Sequence, residues 1–383
     1  MAEIGNARVR IFVYKNGCFG PYRSNFGKLK GSEQAPMKYK KILYPAVFLL
    51  LIALTIGTIV SQNESFSAEG FADFVSAANL KCMAGAALSM LCYIMMEGMA
   101  LLVLCRVLGY ERRLHCGMMY SAADIYFSAI TPSATGGQPA SAILMMRDGI
   151  PGAVTTVALL MNLALYTLSI LAMSLVGCAA RPDIFGRFGP ASQVLILVGF
   201  ATQAGLLAGF LLLIFREKLM WRLVNFFSKI LHKMRIFKNE EKFRAKLASL
   251  EQDYRQCAGR LHAHRPGLLL AFLLNFLQRL AIVLVPAFVY VGTGGVPGRV
   301  WEVIVTQSLV VVGSNAIPVP GAVGVADYLF LDGFEAIVPE PVNLELLSRG
   351  ISFYCCIALC ALALLLSVLA RWIRGQRAAR GQE

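Results

Sequence analysis

Long apolar runs alternate with short polar segments along most of this chain. About 20 consecutive apolar residues cross the roughly 30 Å hydrocarbon core of a bilayer as one α-helix. Six runs are long enough for this, and they predict spanning helices over 42–60, 83–104, 153–178, 192–215, 267–291 and 347–369. The pattern therefore predicts an all-α polytopic membrane protein with about six spanning helices.

Two further apolar segments, 120–147 and 300–334, are interrupted midway by glycine and proline. The interruptions read AITPSATGGQPA over 129–140 and AIPVPGAVGVAD over 316–327. Non-helical backbone at membrane depth is tolerated only where it is buried in protein or lines a wet cavity. Paired interruptions, one in each half of a chain, are typical of transport sites built from discontinuous helices. We therefore predict two re-entrant half-helix hairpins, with two kinked spanning helices as the alternative.

The composition supports a membrane protein and excludes several other classes. The chain is 57% hydrophobic and 15% charged, with a formal net charge of +14, whereas an ordinary soluble domain has about 25% charged residues. The basic excess comes without any nucleic-acid recognition motif, and cytoplasmic loops of membrane proteins are rich in Lys and Arg. Motifs for catalysis, nucleotide binding and metal ligation are missing. We expect no nucleic-acid partner, no cofactor and no metal.

The distribution of Lys and Arg predicts the orientation of the chain. Thirty of them fall in or beside segments that this topology places on one side: 1–41, 105–119, 147, 216–266 and the residues after 369. Only Arg181, Arg187 and Arg299 fall in the opposite loops. Because cytoplasmic loops carry the excess of positive charge, we predict that both termini are cytoplasmic. The two hairpins then enter from opposite sides, as an inverted repeat requires.

The same pattern predicts the organisation of the chain into segments. These are a basic cytoplasmic segment over 1–41, a first membrane half over 42–215, a basic linker over 216–266, a second half over 267–370 and a cytoplasmic tail over 371–383. We expect Met37 to be the natural start, because it directly precedes the basic flank of the first apolar run. The linker is amphipathic, and it either lies on the anionic inner leaflet or simply connects the halves.

Arg279 is the most exceptional single residue, because it lies in the middle of the apolar run 267–291. Asn275 and Gln278 precede it closely. Ionisable groups at membrane depth are costly and are functional candidates by default. A guanidinium group binds phosphate bidentately, so Arg279 is predicted to hold a lipid phosphate. The alternative is a structural ion pair, for which Glu97 is the expected partner.

The hairpins supply the remaining candidate residues. Predicted substrate-binding residues, besides Arg279, are Thr131, Ser133, Thr135, Gly136, Gly137, Gln138, Arg147, Gly321, Gly324, Asp327 and Arg349. Residues predicted to carry a coupling proton or ion are Glu97, Asp124 and Asp327. Arg349 is also expected to neutralise Asp327. The other acids in the second half are expected to be solvated loop charges: Asp332, Glu335, Glu340 and Glu345.

The interruption in the second hairpin carries a family resemblance. The segment PVPGAVGVAD over 318–327 resembles the P-x-P-G-G-x-G-x-x-E signature of the lysylphosphatidylglycerol synthase transmembrane region, a flippase-like family. Residues 131–141, with the Arg-Asp-Gly over 147–149, are similar to the first-half motif of one bacterial branch. The resemblance covers roughly 38–371. Ala322 stands where the family has a second glycine, and Asp327 where it has glutamate.

The resemblance implies that an anionic phospholipid, such as lysylphosphatidylglycerol, or a polyprenyl-linked lipid moves between leaflets. It matches the flippase part of the multiple peptide resistance factors, without their soluble aminoacyl-transferase domain. One alternative is lysyl transfer to phosphatidylglycerol, which confers resistance to cationic peptides, either directly or with a separate aminoacyl- or glycosyl-transferase partner. Another is a non-transporting subunit of envelope glycolipid assembly.

Overall fold

The computed structural model describes residues 68–131, 135–216, 222, 254, 256–261, 263–315 and 324–380. The predicted first span, 42–60, and the start at Met37 lie outside the described residues, as does most of the linker. Within the described ranges the chain consists of helices and turns, without strands.

The α-helices follow one another with short connections. In chain order they are α1 Ala68–Ser76, α2 Leu80–Val107, α3 Leu114–Ile130, α4 Gly137–Arg147, α5 Gly152–Ala180, α6 Pro182–Phe185, α7 Pro190–Phe215, α8 Arg265–Gly292, α9 Val300–Ser314, α10 Val325–Phe334, α11 Pro341–Arg349 and α12 Cys356–Arg380. A short 3-10 turn, Pro297–Arg299, precedes α9, and a π-helical turn, Gly350–Cys355, joins α11 to α12.

Five helical segments of the described chain are long and apolar enough to cross a membrane. They are α2, α5, α7, α8 and the continuous segment Pro341–Ser367. Their positions confirm the predicted all-α polytopic class. The last segment begins six residues before the predicted 347, because Pro341 begins the helix while the apolar run starts only after Glu345. Proline favours the first turn of a helix, where its missing N–H is not needed.

The helices α3 and α4 form the first hairpin. Ser141 Oγ of α4 donates to the carbonyl of Tyr120 at 3.2 Å, and Gln138 Nε2 donates to Asp124 Oδ2 at 2.8 Å. Later residues of α4 thus contact earlier residues of α3, so the two helices are antiparallel. The segment is therefore a hairpin and not a single kinked span.

The first arm of this hairpin is longer than predicted. The apolar pattern predicted an arm over 120–130, whereas α3 begins at Leu114 and has 17 residues. At 1.5 Å per residue it is about 25 Å long, most of the thickness of the hydrocarbon core. The difference arises because residues 114–119, which precede the predicted arm, are already helical.

The helices α9 and α10 form the second hairpin in the same way. Gly313 of α9 lies against Leu329 of α10, and Gly333 of α10 lies against Thr306 of α9. A later residue of α10 thus contacts an earlier residue of α9, so these two helices are also antiparallel. The two arms have 15 and 10 residues.

The two hairpins start from opposite ends of the molecule. At one end, called the linker end, Arg260 Nη1 donates to the Leu108 carbonyl at 2.6 Å, between the linker and the turn before α3. At the other, called the far end, the backbone N–H of Asn79 donates to the Gly292 carbonyl at 2.7 Å. This contact lies just before α9 in the chain. The first hairpin therefore enters from the linker end and the second from the far end, as predicted.

Candidate functional site

A cluster of polar side chains lies buried where α2, α3, α4, α5 and α8 meet. We call it the central cluster, and it consists of Tyr93, Glu97, Ser121, Asp124, Gln138, Asn162, Tyr166, Asn275, Gln278 and Arg279. Burial of polar groups costs free energy unless they are bonded. The bonding within the cluster therefore shows which groups are satisfied and which remain available.

Arg279 is the least satisfied member of the central cluster. Its residue is 4% exposed. Its guanidinium carbon lies 4.9 Å from the ring centre of Tyr93 and 4.1 Å from that of Tyr166. Cation–π contacts of this kind stabilise a desolvated guanidinium group. Nε and Nη2 are nevertheless buried without a hydrogen-bond partner in the described part of the chain.

Glu97 is satisfied by neutral donors and not by Arg279. Ser121 Oγ donates to Glu97 Oε2 at 3.2 Å, and Gln278 Nε2 donates to the same oxygen at 3.1 Å. Within the described ranges no ion pair joins Glu97 to Arg279, although their charges interact at longer range. The expected structural ion pair is thus replaced by contacts with two tyrosine rings.

A close helix crossing brings the acids of the central cluster together. Gly98 of α2 packs against Gly117 of α3, and a Cβ at Gly98 would lie 2.7 Å from the Gly117 carbonyl oxygen. Small residues allow helix backbones in membranes to approach this closely. The carboxyl groups of Glu97 and Asp124 then come within hydrogen-bonding reach of each other.

The tip of the first hairpin is built by residues that were predicted to bind substrate. The Gly136 amide donates to Thr131 Oγ1 at 2.9 Å, and that hydroxyl donates to the Phe127 carbonyl at 2.6 Å. A Cβ at Gly137 would overlap Asp124, so α4 can approach α3 only with glycine there. These contacts give three of the predicted residues a structural task.

The other predicted residues of the first hairpin are placed differently. Thr135 is exposed beside the tip, and Ser133 lies outside the described residues. Arg147 is exposed at the last turn of α4, at the linker end. The structure therefore does not bring Arg147 to the central cluster.

The second hairpin has a separate set of charged residues at the start of α10. Asp327 Oδ2 accepts from the Gly324 amide at 2.8 Å and caps the helix. Gly324 has a φ of +88°, which favours glycine. Arg349 Nη2 forms an ion pair with Asp327 Oδ1, so the predicted neutralisation is present. Gly321 lies outside the described residues.

Glu345 joins this set, contrary to the prediction of a solvated loop charge. Its residue is 3% exposed, and its Oε1 lies 3.7 Å from Arg349 Nη2. Its carboxyl group also lies within hydrogen-bonding reach of Asp327. We call Asp327, Glu345 and Arg349 the far-side triad. The helical spacing of four between Glu345 and Arg349 was the signal in the sequence that could have revealed it.

Asp332 was also predicted to be solvated, and it too has a structural partner. Its Oδ2 accepts from the Gly189 amide at 2.9 Å, which ties α10 to the start of α7. Glu335 and Glu340, by contrast, are exposed as predicted.

An ion-pair network fixes the far end of the second hairpin. Arg181 and Arg187 contact Glu302 of α9 at 3.2 and 3.1 Å, and both also contact Asp183. The hydrogen bond from Arg181 lowers the pKa of the Asp183 carboxyl below its usual range, and Arg187 lowers it further. Arg299 bridges the same Glu302 at 3.0 Å. The first arm of the hairpin is thereby held to the connection between α5 and α7.

A cleft of about 410 Å³ lies between α2 and α8, towards the linker end. The sequence analysis did not detect it, because it forms between residues distant in the chain. Its lining combines apolar side chains with three charged ones, and consists of Met99, Leu102, Val103, Arg106, Glu111, Arg112, Leu270 and Leu274. Arg106 is paired with Glu111 at 3.1 Å.

The fold and the central cluster together define a multi-pass α-helical membrane protein with two oppositely entering hairpins and a buried arginine in the cluster beside the first of them. Residues 42–360 match the family model described as "Lysylphosphatidylglycerol synthase TM region", and the chain belongs to that family. This confirms the resemblance seen in the two interrupted segments. No curated protein and no solved structure matches the chain.

Proposed function

We propose that this protein moves a lipid with an anionic or phosphate-bearing headgroup between membrane leaflets, and that Arg279 binds the phosphate. Lysylphosphatidylglycerol and polyprenyl-linked lipids both carry such a group. Membership of a membrane-protein family named for a phospholipid supports this function. The observation that carries it is the pair of buried, unpartnered nitrogens of Arg279.

The geometry of the guanidinium group favours a phosphate or carboxylate ligand. Tyr93 and Tyr166 contact the group through their rings, and the Tyr93 side chain also lies within hydrogen-bonding reach of it. Nε and Nη2 form one edge of the guanidinium plane, and this edge binds an anion through two parallel hydrogen bonds. A lysine at this position would keep the charge but lose the two-point contact. Arg279 is buried, so the ligand reaches it only if neighbouring groups move.

The cleft beside α2 and α8 supports a route for the lipid. Leu274 lines the cleft and directly precedes Asn275 of the central cluster. In this proposal the acyl chains stay in the cleft while the headgroup enters towards Arg279. Because the sequence has no P-loop, the movement is downhill or coupled to an ion. Glu97 and Asp124 then carry the coupling proton.

The decisive experiment compares Arg279→Lys with Arg299→Lys, the same exchange in the far-end network. Each purified variant is reconstituted into vesicles with a fluorescent phosphatidylglycerol, and the rate at which that lipid changes leaflet is measured. We expect Arg279→Lys to fold and to slow the movement about tenfold, since one charge-assisted hydrogen bond contributes about 1.5–3 kcal/mol. Arg299→Lys should move lipid at the wild-type rate.

Two outcomes would contradict this role for Arg279. One is a folded Arg279→Lys protein that moves every tested anionic lipid as fast as the wild type. The other is an Arg279→Lys protein that fails to fold but is restored by Glu97→Gln, which would indicate a structural pairing of the two charges.

The orientation is also part of the proposal. The positive-inside rule supports a cytoplasmic linker end and cytoplasmic termini in a bacterial inner membrane. In a background without native cysteines, Glu340→Cys at the far end should react with an impermeant thiol reagent in intact cells. Arg113→Cys at the linker end should react only after permeabilisation. The reverse pattern would refute this orientation.

The family name supports a second candidate, lysyl transfer to phosphatidylglycerol by this chain or with a separate aminoacyl-transferase partner. A host that lacks the lysylated lipid and receives only this gene would distinguish the two functions. Appearance of lysylphosphatidylglycerol would favour the enzyme.

A further inference from the structure

The far-side triad holds two buried acids and one partly buried base, Arg349, whose side chain is 13% exposed. Asp327 is fully buried and Glu345 nearly so, and the same nitrogen of Arg349 contacts both carboxyl groups. With both acids ionised, the triad would carry a net negative charge in a low-dielectric environment. Burial of an uncompensated charge is strongly unfavourable.

The hydrogen bonding is unequal between the two acids. Asp327 accepts from the Gly324 amide and has the closer contact with Arg349. Both carboxyl oxygens of Glu345 are buried without a hydrogen-bond partner among the described residues, and so is Ser348 Oγ one turn later. The 3.7 Å from Glu345 to Arg349 is too long for a hydrogen bond. A buried carboxyl group that accepts no hydrogen bond can instead carry a proton and donate a hydrogen bond.

The charges that act on Glu345 come from two neighbours, Asp327 of α10 and Arg349 of its own helix. Other elements packed on α11 are α1, α8 and the π-helical turn. Their titratable side chains are Glu69, Asp73, Arg265, Arg279, Tyr290, Tyr354 and Cys355. The electrostatic environment of the Glu345 carboxyl group is therefore determined chiefly by Asp327 and Arg349.

We propose that Asp327 and Glu345 together bind one exchangeable proton, so that the far-side triad is a proton-binding site in the second hairpin. The proton comes from water at the far end and forms an O–H bond on Glu345, which donates to the Asp327 carboxylate. This bond links α10 to α11. When the proton returns to water, two carboxylates face each other and the link weakens.

The proton can be detected directly by infrared spectroscopy of the purified protein. A protonated carboxyl group gives a C=O band that a carboxylate lacks. We expect the band in the wild-type protein to lose intensity in Glu345→Gln and to remain in Glu335→Gln, an exposed acid beside α10. The glutamine amide can donate to Asp327 in place of the carboxyl O–H, so the variant should fold. An unchanged band in folded Glu345→Gln would overturn the proposal.

A second variant covers the case in which Glu345→Gln does not fold. Asp327→Asn keeps an oxygen for the Gly324 amide and leaves Glu345 alone with Arg349. The remaining pair is then neutral when ionised, so the band should lose the same intensity as in Glu345→Gln. A band of wild-type intensity in folded Asp327→Asn would equally overturn the proposal.

Thermal unfolding at different pH values gives an independent measurement. If the folded protein holds a proton that the unfolded chain releases, the melting temperature falls as pH rises above the range in which a free glutamate titrates. The decrease of the melting temperature with pH should be smaller in Glu345→Gln, which lacks this proton. It should be the same as in the wild type in Glu335→Gln. Equal slopes in all three proteins would contradict the proton site. Neither measurement requires lipid movement, so this proposal can fail or succeed separately from the proposed function.

Discussion

The two hairpins both place one acid against another near an arginine, but they distribute the bonds differently. In the first, neutral donors satisfy the acids: Ser121 and Gln278 for Glu97, and Gln138 for Asp124. In the second, Arg349 contacts both acids itself. Arg349 is therefore occupied by the protein's own acidic side chains, whereas two nitrogens of Arg279 have no hydrogen-bond partner among the described residues. This difference favours the central cluster for headgroup binding and the far-side triad for the proton shared by Asp327 and Glu345.

The interrupted segments differ in a similar way in their use of glycine. Gly137 is required because α4 lies too close to Asp124 and Ser128 for any side chain. A Cβ at Gly324 would lie within 4 Å of no residue that the structure describes, but the backbone there has a φ of +88°. One glycine thus permits close packing, and the other permits a backbone conformation. The two hairpins should respond differently to the same Gly→Ala exchange.

The largest effect is expected for Arg349→Gln, which removes the cation from the far-side triad. Removal of one partner from a buried ion pair typically costs about 3–5 kcal/mol, because the other charge is left uncompensated. The melting temperature and the folded yield after detergent extraction measure this loss. Addition of Asp327→Asn should recover much of the stability. If Arg349→Gln alone is as stable as the wild type, Arg349 has no larger structural role than Arg279.

A somewhat smaller loss is expected for Gly137→Ala in the first hairpin. The added methyl group overlaps the backbone and side chain of Asp124, and overpacking of this kind costs about 1–3 kcal/mol. The matched control is Gly205→Ala in α7, where nothing lies within 4 Å of the added atom. Denaturant unfolding should separate the two variants. If the two variants unfold at the same denaturant concentration, the close approach of α3 and α4 does not require glycine at position 137.

Gly324→Ala should cost about 1–2 kcal/mol, because a non-glycine residue is strained at positive φ. Gly324→Asn should cost less than alanine, since asparagine tolerates this conformation better. The order of the two melting temperatures tests the explanation. An alanine variant at least as stable as the asparagine variant would mean that backbone strain at residue 324 is unimportant.

The smallest effect on stability is expected for Glu97→Gln, about 1 kcal/mol or less. Glutamine keeps a carbonyl oxygen for Ser121 and Gln278, and its amide can donate to Asp124. Thermal unfolding should therefore change little, while lipid movement in vesicles should lose its pH dependence if Glu97 carries the proton. A large loss of stability would indicate that the charge of Glu97 is structural, as in the far-side triad.

Much of the architecture was predictable, because helix length and apolar runs respond to local sequence. The spans near 83–104, 153–178, 192–215 and 267–291 were predicted to within a few residues of the observed helices. The hairpins were predictable because glycine and proline interrupt a helix wherever they cluster. The bilayer leaves few alternatives for the segments between them.

The candidate site was only partly predictable. Arg279, Glu97 and Asp124 were recognisable, since an ionisable residue in an apolar run is exceptional in any membrane protein. The tyrosines around Arg279 were not, because aromatic residues are common in such runs and nothing local distinguishes these two. Glu345 was assigned to a loop, because the apolar pattern starts after it while the helix starts before it.

By itself, the sequence determined the class of this protein, the approximate positions of its long helices and the presence of two hairpins. These follow from hydrophobicity, charge and backbone restriction, which are properties of short segments. Only the tertiary structure decided which arginine is occupied by acids and which is left with unpartnered nitrogens. That outcome depends on the approach of α2 to α3 at Gly98 and Gly117 and of α10 to α11 at the far-side triad. Contacts between distant segments depend on packing, and packing is a property of the whole fold.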